Sequence, residues 1–161
     1  MMVVHRDDMV ATRGVAARWR SFAPYLLSVV RVTAAFVFVQ TGTAKLYAFP
    51  AAVLPAGATA HTGTLLWYAG VLETYGGALL LLGLFTRPIA FLLAGEMAVA
   101  YFKAHAVRGF WPVLNQGQLA VLFCFLWLYI SAAGAGPWSI DALRRRRAPS
   151  PEQTPWASSG T

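Results

Sequence analysis

Three things are scarce in this chain: charge, acid and cysteine. Charged residues make up only 12% of its 161 residues, about half the ~25% of an ordinary soluble domain. That argues against a globular protein wetted on all sides. One cysteine, Cys124, excludes an intrachain disulfide, a dithiol relay, and any zinc or iron–sulfur site built from cysteines of this chain alone. Inside an apolar run it reads as a small packing residue. Of the three histidines, His61 and His105 lie at or beyond the ends of apolar runs. Bis-histidine haem ligation needs two on facing helices at one depth, and that arrangement is absent. Met97 reads as packing, so no metal ligand set emerges. Six acidic residues oppose thirteen basic ones, for a net charge of +7. The basic residues flank apolar segments and no recognition module is present, so no nucleic-acid partner is expected.

What the chain has in abundance is hydrophobic length, at 58% of its residues. Four apolar segments can be read, at about 25–45, 65–84, 88–106 and 118–133. A helical span needs about 20 residues at 1.5 Å rise, so the first three fit well. The fourth looks short, but Gly117 and Gly134 can extend it. The expected fold is all-α: a polytopic membrane protein, an up-down four-helix transmembrane bundle. Residues 1–24 read as a basic cytoplasmic tail and 25–143 as the membrane domain. Residues 144–161 read as a basic, then Pro- and Ser-rich disordered tail. The amino-terminal stretch is polar and too long for a simple n-region, so no cleaved signal peptide is expected. Phe85-Thr86-Arg87-Pro88 forms a tight turn, with Pro88 suited to a first helical turn. The tails and this turn hold nine of the thirteen basic residues, which places them in the cytoplasm. Anionic membrane lipids are their expected partners. The loops at 46–63 and 107–116 then face outward, with aromatics such as Tyr47, Trp67, Tyr68 and Trp111 at the outer interface.

Two carboxylates interrupt this pattern. Glu73 and Glu96 lie inside the second and third runs, where a charge costs roughly 2.5–3.5 kcal/mol on insertion scales. Helical spacing sorts the other polar groups around them. Arg31, Ala35, Phe38, Gly42 and Lys45 share a stripe on the first span. Gly70, Glu73 and Gly77 share one on the second, with Gly76 adjacent, small enough to admit a neighbouring helix. Glu96, Ala100 and Lys103 line up on the third; Gln118, Leu122, Phe125 and Tyr129 on the fourth. Turning all four stripes inward gives a chamber open to the outer side, with a carboxylate floor balanced by Arg31, Lys45 and Lys103. The bland alternative is that the ion pairs only hold helices together and the lysines snorkel to the headgroups.

The run from Gly70 through Glu73, Gly76, Gly77 and Gly83 to Thr86-Arg87-Pro88 resembles the signature of the DoxX family of small four-span membrane proteins. Arg31, Gly42 and Lys45, then Glu96-Met97, Asn115-Gln-Gly117-Gln118, and Gly136-Pro137-Trp-Ser139-Ile-Asp141 fit the same pattern. The resemblance covers about residues 26–143. It implies a bacterial inner-membrane protein linked to quinone redox chemistry or to thiol and oxidative-stress defence. Gln118 stands where the family often has a glutamate. It can hydrogen-bond but not titrate, which puts any proton role at that point in doubt.

Three functions follow as expectations. The first is a redox-associated subunit binding a quinone or similar lipophilic ligand, with no covalently bound cofactor. Glu73 and Glu96 would hydrogen-bond or exchange protons, and Arg31, Lys45, Lys103 and Gln118 complete the candidate site. As an enzyme it would be at most one subunit of a quinone-linked oxidoreductase, since haem and thiol motifs are lacking. The second is a non-catalytic anchor or assembly partner for a soluble redox enzyme, docking through Arg144–Arg147 or the 107–116 loop. The third is a small-solute or proton transporter, disfavoured by the lack of broken helices at corresponding positions. A homo-oligomer is compatible with all three.

Overall fold

The computed structural model describes residues 6–147, with side chains from Arg18 onward. The tail read as disordered from Ala148 lies outside the described residues. Everything described is helix, turn or loop, with no strand among the described residues.

Helix α1, Arg6–Tyr47, is 42 residues long and its apolar part runs over Arg18–Tyr47. It starts well before residue 25, where the sequence reading placed the first span. Ala16, Ala17, Arg18 and Arg20 are good helix formers, and they carry the helix through Pro24. Ser28 Oγ donates to the Pro24 carbonyl at 3.2 Å. Helix α2, Leu65–Leu82, is capped by Thr64, whose Oγ1 accepts from the Trp67 amide at 3.2 Å. The helix widens into a π turn at Leu72–Gly76 and stops at Gly83, whose φ of 66° suits a residue without Cβ. Helix α3, Thr86–Arg108, holds Pro88 in its first turn, where a missing N–H is cheap. It ends through a π turn at Tyr101–His105 and a tight turn at Ala106–Arg108. The short α4, Pro112–Asn115, leads into α5, Gln118–Ala133, and α6, Ile140–Arg147, closes the described chain.

Helices α1, α2 and α3 are each long and apolar enough to cross a membrane. Helix α5 is as apolar but has 16 residues, about 24 Å of helix, and packs along α3. The core lies where the helices meet: Phe38, Leu80, Leu93, Trp127 and Ile130 are fully buried. Phe38 sits 5.2 Å from Phe123 and 5.4 Å from Trp127, ring centre to ring centre. The outward faces are apolar too. Val29, Phe36, Phe91, Leu122, Phe125 and Tyr129 are all exposed, far more apolar surface than a water-soluble monomer presents.

The glycine stripes act as the sequence predicts. A Cβ on Gly42 would lie 2.5 Å from the Thr74 amide nitrogen, and one on Gly77 2.8 Å from Val39 Cγ2. Without side chains at these points α1 and α2 touch backbone to backbone. Gly76 performs the same service against Leu93 of α3. The stripe expected on the fourth span does not turn inward. Leu122, Phe125 and Tyr129 are each more than 60% exposed, and Gln118 is exposed at the first turn of α5. The inward face is instead Ala120, Phe123, Trp127 and Ile130. Gln118 is one polar residue at a helix end, too little to orient 16 apolar ones. The aromatic face fits the α1–α3 groove and decides.

A candidate ligand cavity between the helices and a polar lock at their ends

A cavity of about 1050 Å³ lies between α1, α2, α3 and α5. Its walls are largely apolar: Phe38, Leu66, Leu72, Met97, Val99 and Phe123 among others. Four ionisable side chains predicted from the sequence line it, namely Lys45, Glu73, Glu96 and Lys103. Thr41, His105 and Gln116 add polar atoms. Leu65, Phe91 and Leu119, each more than 60% exposed, also line it. The cavity therefore reaches the bundle surface at a rim that is apolar apart from the exposed Lys103 and Gln116.

Lys45 and Glu73 form the one short ion pair among the described residues. Lys45 Nζ donates to both carboxylate oxygens of Glu73, at 2.6 Å each. Glu73 is buried and Lys45 about one-fifth exposed. The pair spans the α1–α2 interface where Gly42 and Gly70 let the helices close, so the contact needs those glycines as well as the charges. Glu73 belongs to the π turn of α2 and Lys103 to that of α3. Such wide turns recur at functional sites. Glu96 differs from Glu73: both its oxygens are buried and have no hydrogen-bond partner among the described residues. Gly95, beside it, also lines the cavity, and a Cβ there would meet nothing within 4 Å.

Two expected site residues lie elsewhere. Gln118 does not line the cavity; Gln116, in the loop before α5, does. Helical periodicity could not find Gln116, because it sits in a left-handed turn with φ of 62°. Arg31 is fully buried but outside the cavity, and it balances no carboxylate of the chamber. Its Nε donates to Ala135 O at 2.8 Å. Nη1 donates to Leu81 O at 2.8 Å and also to Leu80 O, and Nη2 donates to Trp138 O at 2.5 Å. A guanidinium has five fixed donors, and here they cap the C-terminus of α2, where Leu80 O also accepts from the Gly83 amide at 3.1 Å and Leu81 O is an orphan carbonyl, together with the loop after α5.

Two further residues complete this lock; the sequence reading used Arg87 only for topology and assigned neither residue to the site. Arg87 Nη1 donates to Ala132 O at 2.9 Å, a cation at the C-terminus of α5. Asp141 accepts from the Phe85 amide at 3.1 Å and the Thr86 amide at 2.9 Å, an anion at the N-terminus of α3. Burial alone would push the Asp141 carboxyl up. The hydrogen bonds from Thr86 and Phe85 and the Arg145 charge outweigh it and hold the carboxyl below its usual value. At the other end Asn115 is buried. It donates to Gly109 O and accepts from the Gly117 amide, both at 2.7 Å, which fixes the approach to α5. The available signal for all three was their place in the quoted family motifs, not their spacing.

Comparison with known proteins matches these features to one family. No solved structure matches the chain. A protein of Haemophilus influenzae, named only "Uncharacterized protein", is 44% identical over 123 residues, covering 74% of this chain and 91% of that protein. The DoxX family model matches residues 26–106, the stretch that contains α2, most of α3, the Lys45–Glu73 pair and Arg31. With helices of membrane-spanning length and a family match over half its sequence, the chain is a membrane protein and belongs to the DoxX family.

Proposed function

We propose that the chain is a redox-associated subunit of a bacterial inner membrane that binds a quinone or similar lipophilic ligand in the cavity. The observation that carries this reading is the cavity itself. At about 1050 Å³ it is as large as the ~300–1,000 Å³ pockets that hold small molecules. It is apolar apart from a few convergent polar groups, and its rim is mostly apolar, with Leu65, Phe91 and Leu119 exposed, which suits entry from lipid. The residues present fit such a ligand. Glu96 offers oxygens that are buried and unpartnered among the described residues, Lys103 an exposed amine lining the same cavity, and Phe38 and Phe123 flat apolar faces. Glu73 and Lys45 hold the wall between them. A bound quinone would supply the electron chemistry; the protein positions it and provides hydrogen bonds.

In this reading α5 is the fourth span of an up-down bundle with both termini in the cytoplasm. Arg31 supports it, because one side chain on α1 joins the end of α2 to the loop leaving α5. So does charge: Arg87 and Arg144–Arg147 gather at that end, the pattern of a cytoplasmic face. Lipid and small-molecule mass spectrometry of the protein extracted in mild detergent tests the proposal. A quinone should accompany the wild type and be lost from Gly95→Phe, which plugs the cavity. No quinone with the wild type, in a preparation from quinone-containing membranes, would refute it.

A second reading keeps the chain as a membrane anchor for a soluble redox enzyme. Arg144–Arg147 favour it, since all four are exposed on α6. Changing all four to Gln should then abolish co-purification of that enzyme. Unchanged co-purification counts against it.

A further inference from the structure

The two carboxylates of the cavity are not equivalent. Glu73 has both oxygens on Lys45 Nζ, so its hydrogen-bonding capacity faces another helix. Glu96 has both oxygens buried and unpartnered among the described residues, and it lines the same cavity. Among the described residues the other buried charged groups are satisfied: Arg31 by carbonyls, Glu73 by Lys45. Thr74 Oγ1, Thr86 Oγ1 and Trp127 Nε1 are also buried without a partner among the described residues, but none of these residues lines the cavity; an unsatisfied carboxyl that does line it marks the point where a bound molecule makes its polar contact.

We propose that Glu96 is the specificity-determining contact of the cavity, and that its ligand presents a hydrogen-bond donor, a hydroxyl or amine, on an apolar body. The inference rests on the reading that the cavity takes a lipophilic ring, and it sharpens that reading. A carboxyl keeps at least one acceptor oxygen in either proton state. A quinone offers only carbonyl acceptors and leaves that oxygen unsatisfied. The matching hydroquinone offers hydroxyls, which both donate and accept and so satisfy Glu96 in either state. The cavity therefore prefers the reduced form. Lys103, two helical turns further along α3, lines the same wall and offers donors to the far end of such a ligand.

The test uses two pairs of probes on the full-length protein in lipid nanodiscs, read by isothermal titration calorimetry under anaerobic conditions. The first pair is a 4-alkylphenol and its methyl ether, which differ only in the donor. The second is a short-chain hydroquinone and the matching quinone. The phenol and the hydroquinone should each bind about tenfold or more tightly than their partners. Glu96→Leu, which removes a buried polar group and so does not threaten the fold, should bring each pair to equal affinity. Glu96→Gln, which keeps a carbonyl acceptor, should retain part of the preference. Gly95→Phe should lose all four probes. Equal binding of phenol and ether to wild type, or a preference that survives Glu96→Leu, overturns the assignment of Glu96. A phenol preference lost in Glu96→Leu, with no binding of either quinone form, keeps the assignment and ends the quinone reading. No binding of any probe overturns both.

Discussion

Replacing Arg31 by Met separates a structural arginine from a ligand-binding one. Met keeps much of the apolar stem and deletes the guanidinium. Four acceptors then lose a donor: Leu80 O, Leu81 O, Ala135 O and Trp138 O. Two are at the end of α2, where Leu80 O keeps the Gly83 amide at 3.1 Å but Leu81 O has no intrahelical donor to replace the guanidinium, and the guanidinium is fully buried, so water cannot step in freely. Interhelical polar contacts in membranes average about 0.6 kcal/mol, whereas hydrogen bonds to charged groups in soluble proteins run to about 1.5 kcal/mol or more. Four contacts therefore place the loss between about 2 and 6 kcal/mol, with the upper half favoured by complete burial. Thermal unfolding in nanodiscs should show a midpoint lower by ~5–15 °C. Arg31→Lys should recover little, since one ammonium cannot reach both helix-end carbonyls and the loop. Below the unfolding temperature, phenol binding in the cavity should be unchanged, because Arg31 does not line it. A variant with normal melting and lost ligand binding would refute this account and return Arg31 to the site.

Three other expectations are independent. Gly42→Val should fail to fold or should unfold at much lower temperature, because its Cβ meets the Thr74 backbone; expression as a monodisperse species would contradict the close α1–α2 contact. Lys45→Met strands the Glu73 carboxylate in the interior and should destabilise more than the double variant Lys45→Met/Glu73→Gln, by about 1–3 kcal/mol in a double-mutant cycle; additive effects would mean the pair contributes no coupling. Asp141 has a folded pKa below its ordinary 3.8, so its stabilisation is complete at neutral pH and is lost as pH falls through the lower folded value. The melting difference between wild type and Asp141→Asn should accordingly shrink below about pH 4, and a difference constant down to pH 2 would argue against the cap.

The two kinds of information divide along physical lines. Hydrophobic length and helical period are local properties, readable from neighbouring residues alone. They determined the all-helical class, the positions of α2 and α3, the glycine face that closes α1 on α2, and the placing of Lys45, Glu73 and Glu96 on inward faces. A 3.6-residue period also places residues on faces without saying which face a neighbour covers. So Gln118 and its stripe went outward, because a single terminal amide cannot outweigh a face of Ala120, Phe123, Trp127 and Ile130. Pairing is likewise non-local. Arg31 shares a stripe with Lys45, yet its donors are used by carbonyls 49 to 107 residues away. Backbone acceptors have no signature in a sequence, so charge balance pointed it to the carboxylates. The same holds for Asp141 and Arg87, which cap helices distant in the chain. The sequence alone could say that two acids lie at membrane depth. Only the packing of α1 against α2 decided that Glu73 is paired with Lys45 while Glu96 is left facing the cavity, because that packing puts Lys45 Nζ on both oxygens of Glu73 and on neither of Glu96.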